Sequence, residues 1–172
     1  CKDVFPIHSR WVWKVQHLNG RELSFISCSY DGTVKHTNVI TGKTKTLISD
    51  PSHKAILDFA LAINHEGKLS AVYAITDKTI YRWNNDKEII TCHLSLETDW
   101  NEYYFRSIAL IGEDCPYIAV NIKQKNESSK SIIVSWSNQS KFHKVIDIES
   151  TCKFVRCLKA YTFDKLKMLV VG

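Results

Sequence analysis

No apolar run in this 172-residue chain approaches the ~18 to 20 residues of a membrane-spanning helix, so no membrane protein of that kind is expected. No charged-then-apolar leader opens the N-terminus, and no secretory signal is read there. Methionine occurs once, at Met168, and the chain begins at Cys1. Together these lead us to expect a piece of a longer polypeptide. The six cysteines, at 1, 28, 92, 115, 152 and 157, include no CxxC pair and no metal-type spacing. Cys28, Cys92 and Cys157 sit in apolar stretches, where a free thiol behaves as a small buried hydrophobe. Reduced thiols and an intracellular home, nuclear or cytoplasmic, are the expectation. Two Asn-x-Ser triplets, at Asn126 and Asn138, carry no weight without a secretory context.

The chemistry of catalysis is equally scarce. There is no GxSxG, no HExxH and no recognisable Cys-His spacing. The six glycines lie mostly at turns and build no phosphate-cradling loop, and the seven histidines are dispersed. No catalytic residue, cofactor or metal is therefore expected.

What the chain does have is alternation. WVWKVQHL reads as a strand, Asn19-Gly20 as a turn, and LSFISCS as the next strand. Asp31-Gly32 turns into TVKHTNV, and KTKTLIS follows. A second unit repeats the plan: ILDFALAI, a His-Glu-Gly turn, LSAVYAIT, Asp77-Lys78, TIYRWN, then EIITCHLSL. A third is looser, with FRSIALIG, a Cys-Pro bend, YIAVNIK, the polar loop QKNESSK, SIIVSWS and FHKVIDI. FVRCLKAYTF and KMLVVG start a fourth that ends after two strands. No segment sustains a helical period, so the chain is all-β, built of four-stranded antiparallel units near 9–49, 55–96 and 104–149, with an incomplete unit at 154–172.

The units also repeat in register. Asp31 and Asp77 stand 46 residues apart, within SYDGTVKHTN and ITDKTIYRWN. His8 and His53 stand 45 apart, each opening a new unit. In unit one His8, Ser27 and Asp31 mark the lead-in loop, the second strand and the tight turn, with Thr37-Asn38 closing the third strand. Unit two carries His53, Asp77 and Trp83-Asn84, with Tyr73 at the position of Ser27. Unit three keeps Trp136-Ser137. This resembles the blades of WD-repeat β-propellers, whose pattern is a lead-in His, a Ser or Thr in the second strand, an Asp in the turn and Trp-Asp ending the third.

The physics of the pattern stands beside the resemblance. An imidazole bonded to a turn carboxylate is charge-assisted, and a hydroxyl or indole completing the chain satisfies polar atoms that burial would leave costly. His8, Ser27, Asp31, His53, Asp77, Trp83 and Trp136 are thus expected to form structural networks. A catalytic His-Asp pair is the rival, and repetition speaks against it, since an enzyme needs one site. With Thr37 in place of the Trp, the network of unit one should be the weaker, so Asp77 is expected to matter more than Asp31.

Three and a half blades leave two apolar faces open and cannot close a ring. The resemblance implies completion by the rest of the parent chain or by another chain. It also implies a rigid, non-enzymatic platform for assembling protein subunits. ETDWNEYYFR, residues 97–106, enters unit three where the lead-in loop belongs; Trp100, in its polar, acidic loop, and Tyr103 are candidate interface anchors, and Arg10 and Tyr30 extend that face. The competing reading has Tyr104 and Phe105 opening the next strand and packing inward, leaving Trp100 alone informative. Trp11, Trp13 and Val15 alternate onto one strand face, which points to core. A net charge of +5 and lysines at 123, 125, 130, 141 and 144 leave a second reading open. There, a propeller subunit of a transcription or RNA-processing complex touches nucleic acid through Lys123, Lys125 and Lys130. A solvated loop is the plainer account, because no aromatic platform interleaves the lysines.

Overall fold

The computed structural model describes residues 6–18, 23–84, 89–93, 100–112, 115–125, 129–136, 142–148, 154–163 and 166–172. Every regular element among them is a strand. The first sheet holds β1 (Val12–Leu18), β2 (Ser24–Ser29), β3 (Thr33–Asn38) and β4 (Thr44–Ser49), hydrogen-bonded in sequence order. The second holds β5 (Asp58–Ile63), β6 (Leu69–Ile75), β7 (Thr79–Asn84) and β8 (Ile89–His93) in the same order. β9 (Trp100–Leu110), β10 (Pro116–Gln124), β11 (Ser129–Trp136) and β12 (Phe142–Ile148) make the third, and β13 (Leu158–Phe163) with β14 (Leu166–Val171) a two-stranded fourth. All pairings within the sheets are antiparallel and join strands consecutive in the chain.

Sheets stack face to face, and the period-2 patterns supply the packing. Ile26, Cys28, Val34 and Ile48 of the first sheet meet Phe59, Val72, Tyr81 and Trp83 of the second. The second sheet's opposite face presents Tyr73, Ile75 and Ile80 to Phe105, Ile118, Val120 and Trp136 of the third. Ala119 and Ile133 then meet Leu158 of the fourth and Val155 in the segment leading into it. Both faces of the second and third sheets are covered, which is why their strands read as long apolar runs rather than clean alternations.

Two expectations need correction. Trp13 and Val15 are exposed, not core. Their neighbour Lys14 points at the second sheet, so alternation turns them to the first sheet's other face, where no described sheet packs. Trp11, just before β1, is exposed as well. Trp100 does not lie in a loop: it is the first residue of β9 and pairs with Gln124. Its side chain falls outside the described residues, as do Lys141 and the Lys144 side chain.

Candidate interaction surface

The lead-in loop of the first sheet is held by one carboxylate. His8 Nδ1 lies 3.0 Å from Asp31 Oδ2, and its Nε2 lies 2.8 Å from Ser27 Oγ. Asp31 also accepts the Ser9 N–H at Oδ2, and the Thr33 N–H and hydroxyl at Oδ1. An imidazole that donates from Nδ1 to the carboxylate and accepts the Ser27 hydroxyl at Nε2 satisfies both partners. Burial would raise the Asp31 carboxyl, but the bonds from Thr33, His8 and Ser9 outweigh it and hold the group at about 2. Lys35 closes the arrangement by donating to the Ile7 carbonyl at 2.6 Å. The adjoining Gly32 sits at φ +80°, and a Cβ there would press within 3.1 Å of His53 Cα and Lys54 O. The turn is therefore seated on the connection to the second sheet.

Unit two is built differently. His53 does not meet Asp77. It adopts a left-handed φ of 54°, closes a turn by donating its N–H to the Asp50 carbonyl, and leaves its ring exposed. Lys54 instead stands 46 residues after His8, and its ammonium lies 3.7 Å from Asp77. Asp77 is 41% exposed, so this pair is a surface contact. The 45-residue histidine spacing was a coincidence one residue out of register. At the Ser27 position Tyr73 is fully buried, and its ring meets Trp136 of the third sheet edge-on at 5.9 Å. Trp83 is buried against the first sheet, with Lys45 of β4 5.7 Å from its ring. Both tryptophans are thus wedges between consecutive sheets. Among the described residues the Trp136 indole N–H has no hydrogen-bond partner.

Three polar residues that sequence reasoning passed over tie the sheets together. Asp58 opens β5 and accepts from Lys14 Nζ at 2.7 Å, from the Phe59 N–H, and at its other oxygen from the Ser107 hydroxyl and Ile108 N–H. Ser107 in turn accepts the Leu158 N–H at 3.0 Å, so one chain of bonds runs through all four sheets. Asp50 accepts the Tyr81 hydroxyl at 2.5 Å and the N–H groups of Ser52 and Lys54. Burial would raise the Asp50 carboxyl, but these bonds prevail and lower it, while burial and Asp50 together push the Tyr81 phenol up. Asn121 accepts from Ser131 and from the Val155 N–H, and donates to the Val155 carbonyl. For Asp58 and Asn121 the available signal was a lone polar residue inside an apolar run.

Of the proposed anchors, the structure brings Arg10 and Tyr30 together and adds Trp11. The Arg10 guanidinium lies 5.8 Å from the Tyr30 ring centre, and Trp11 lies 6.2 Å from it at 59°. The Tyr30 N–H donates to the Trp11 carbonyl, fixing the pair across the loop and turn. Trp11 is 78% and Tyr30 42% exposed. Tyr103, by contrast, is 6% exposed and packs on Phe105, so it belongs to the core. The alternation along β9 turns Tyr104 outward instead, with Lys78 Nζ 4.5 Å from its ring. Lys123 and Lys125 are exposed and Lys130 is half-buried, all at the hairpin between β10 and β11. No group of His, Cys, Asp and Glu able to hold a metal occurs among the described residues.

No family model matches the chain, and no curated protein matches it in sequence. Solved structures do match in shape. A structure of U3-55K superposes with a TM-score of 0.60 at 14% identity, covering 91% of this chain and 45% of that one. The WD40 repeats of RRP9 give 0.63 at 14% identity, over 98% and 53% of the two chains. Saccharomyces cerevisiae Sqt1 gives 0.60 at 17% identity, over 89% and 42%. The chain has the fold of a WD-repeat β-propeller and spans about half the length of the solved propellers it matches.

Proposed function

We propose that this chain is part of a non-enzymatic propeller that assembles protein subunits, docking them on the Arg10–Trp11–Tyr30 cluster. The observation that carries this reading is the cluster's combination of exposure and order. Two aromatic rings and a guanidinium, the residue types that dominate interface energetics, are held in place by backbone and ring contacts yet left open to solvent. The His8–Asp31 network beside it gives the loop a rigid base, so little ordering entropy is lost on docking. We read His8, Ser27 and Asp31, with Trp83 and Trp136, as the structural framework of that platform. Trp13 and Val15 on the first sheet, with Tyr161, Met168 and Val170 on the fourth, mark faces for further blades, from the parent chain or another chain. The unpaired thiols of Cys28, Cys115 and Cys157 suit a reducing compartment, nuclear or cytoplasmic. The test is a Trp11→Ala/Tyr30→Ala variant expressed in cells and sized as a native complex. Loss of bound subunits with an unchanged melting temperature supports the proposal. Retention of every subunit refutes it.

A second reading has one observation in its favour: Lys123 and Lys125 project from a single hairpin into solvent. A nucleic-acid-associated subunit using Lys123, Lys125 and Lys130 would bind RNA or DNA with an affinity falling steeply with salt. Replacing the three by Gln would flatten that slope. A slope unchanged by the substitutions discards this reading.

A further inference from the structure

Arg10, Trp11 and Tyr30 lie outside the strands, at the end of the first sheet where β2 turns into β3, and their hydrogen-bonding capacity is one-sided. The acceptors beside them are consumed within the chain. The Arg10 carbonyl takes the Ser29 hydroxyl at 3.2 Å, and the Trp11 carbonyl takes the Tyr30 N–H at 2.8 Å. Both Asp31 carboxylate oxygens are occupied, by Ser9, Thr33 and His8. What remains open is a set of groups that donate: the Arg10 guanidinium, the Trp11 indole N–H and the Tyr30 hydroxyl. Among the described residues none of the three has a hydrogen-bond partner, and no carboxylate lies within ion-pair distance of Arg10. The Trp11 and Tyr30 rings, with centres 6.2 Å apart and planes inclined at 59°, form an open wedge. Flat nucleobases stack on parallel faces, whereas a wedge suits a puckered ring.

From this pairing of donors with an aromatic wedge we infer that the cluster docks a proline-rich segment of a partner protein in the polyproline II conformation. Each proline lacks an N–H, so the segment offers carbonyl acceptors and no competing donor at those positions. Its backbone makes no internal hydrogen bonds, which leaves those carbonyls free for Arg10, Trp11 and Tyr30. Pyrrolidine rings seated against the aromatic side chains bury apolar area, and the segment is already extended, so little entropy is lost on docking. An acidic segment would engage Arg10 and leave the wedge unfilled. The inference rests on the scaffold reading of this cluster and names the chemistry of its partner.

The test is fluorescence anisotropy of the protein with labelled decaproline. A Gly-Ser peptide of equal length, an Asp-rich peptide and oligo(dT) serve as rivals. The expected result is saturable binding of decaproline that changes little with added salt, because the prolines carry no charge. Trp11→Ala should weaken it at least about tenfold. Tyr30→Phe keeps the ring and removes the hydroxyl, and should weaken it about threefold to tenfold. Tyr161→Ala, which removes an exposed aromatic from the fourth sheet, should bind as the wild type does. All three side chains are exposed, so the variants should melt with the wild type. Equal binding of the Gly-Ser peptide, tighter binding of the Asp-rich peptide or of oligo(dT), or undiminished binding by Trp11→Ala overturns the inference. Sizing of the native complex separates the two claims: if the Trp11→Ala/Tyr30→Ala variant loses its subunits while decaproline does not bind, the docking cluster stands and the proline-rich partner falls.

Discussion

Lys14 of the first sheet and Asp58 of the second meet at 2.7 Å where their innermost strands pass each other. Their environments differ: the Lys14 side chain is about a third exposed, whereas Asp58 also anchors the Ser107 hydroxyl and the Ile108 N–H inside the stack. The two partners should therefore not be equivalent under mutation. Asp58→Ala leaves Lys14 without its ion pair and strips buried donors of their acceptor, at a cost of about 3 kcal/mol. Lys14→Met leaves Asp58 with three donors and should cost about 1 kcal/mol. Urea melts of the two variants check the order, and equal losses would show that the carboxylate's other bonds contribute nothing.

Asp31 makes stability depend on acid. Its folded value of about 2 lies below the model-peptide 3.8, so its contribution is fully present above about 4 and is lost as pH falls through about 2. The side chain is only 8% exposed, and the shift corresponds to about 2 kcal/mol. Asp50, also lowered, acts with the same sign. Denaturant melts stepped from neutral pH into acid should lose stability across this window, and Asp31→Asn should lose less of it.

The same geometry orders the two turn aspartates. Asp31→Ala breaks a buried set of bonds and should cost about 2 to 3 kcal/mol. Asp77→Ala removes a half-exposed contact with Lys54 and should cost no more than about 1 kcal/mol. This reverses the order that the WD pattern suggests, because in unit two Lys54 and Tyr73 occupy the positions of His8 and Ser27. Thermal melts of the two variants decide it.

Tryptophans at different places should fail differently. Trp83→Ala opens a cavity between the first two sheets and should cost about 3 to 5 kcal/mol. Trp11→Ala should stay within about 0.5 kcal/mol of wild type. A Trp11 variant that melts as early as the Trp83 variant would place Trp11 in the core.

Thiol chemistry offers a further check on the packing. Cys28 is fully buried, and burial, aided by the Asp58 charge, pushes its thiol up to about 12. Iodoacetamide applied to the folded protein should modify the exposed Cys157 and spare Cys28 until unfolding. Peptide mapping by mass spectrometry reads the order.

The sequence by itself determined the strands and turns, because both follow from neighbours a few residues apart. Alternation marks a strand, and Asp31-Gly32 marks a turn that needs a carboxylate and a left-handed glycine. The 46-residue spacing of the turn aspartates then implied repeated four-stranded units, and the resemblance to WD-repeat blades brought His8, Ser27 and Asp31 together, as their bonds show. What only the tertiary structure decided lies between sheets. Whether Tyr103 or Tyr104 points inward is set by the register of β9 against β10, and a one-residue slip exchanges them. Lys54 rather than His53 reaches Asp77 because the Asp50 turn consumes His53 in a left-handed conformation. Asp58 finds Lys14 and Ser107 more than 40 residues away on either side, at a distance set by how twisted sheets stack. Local patterns carry no record of that stacking, since the same alternating strand can bury either face against any neighbour of matching shape.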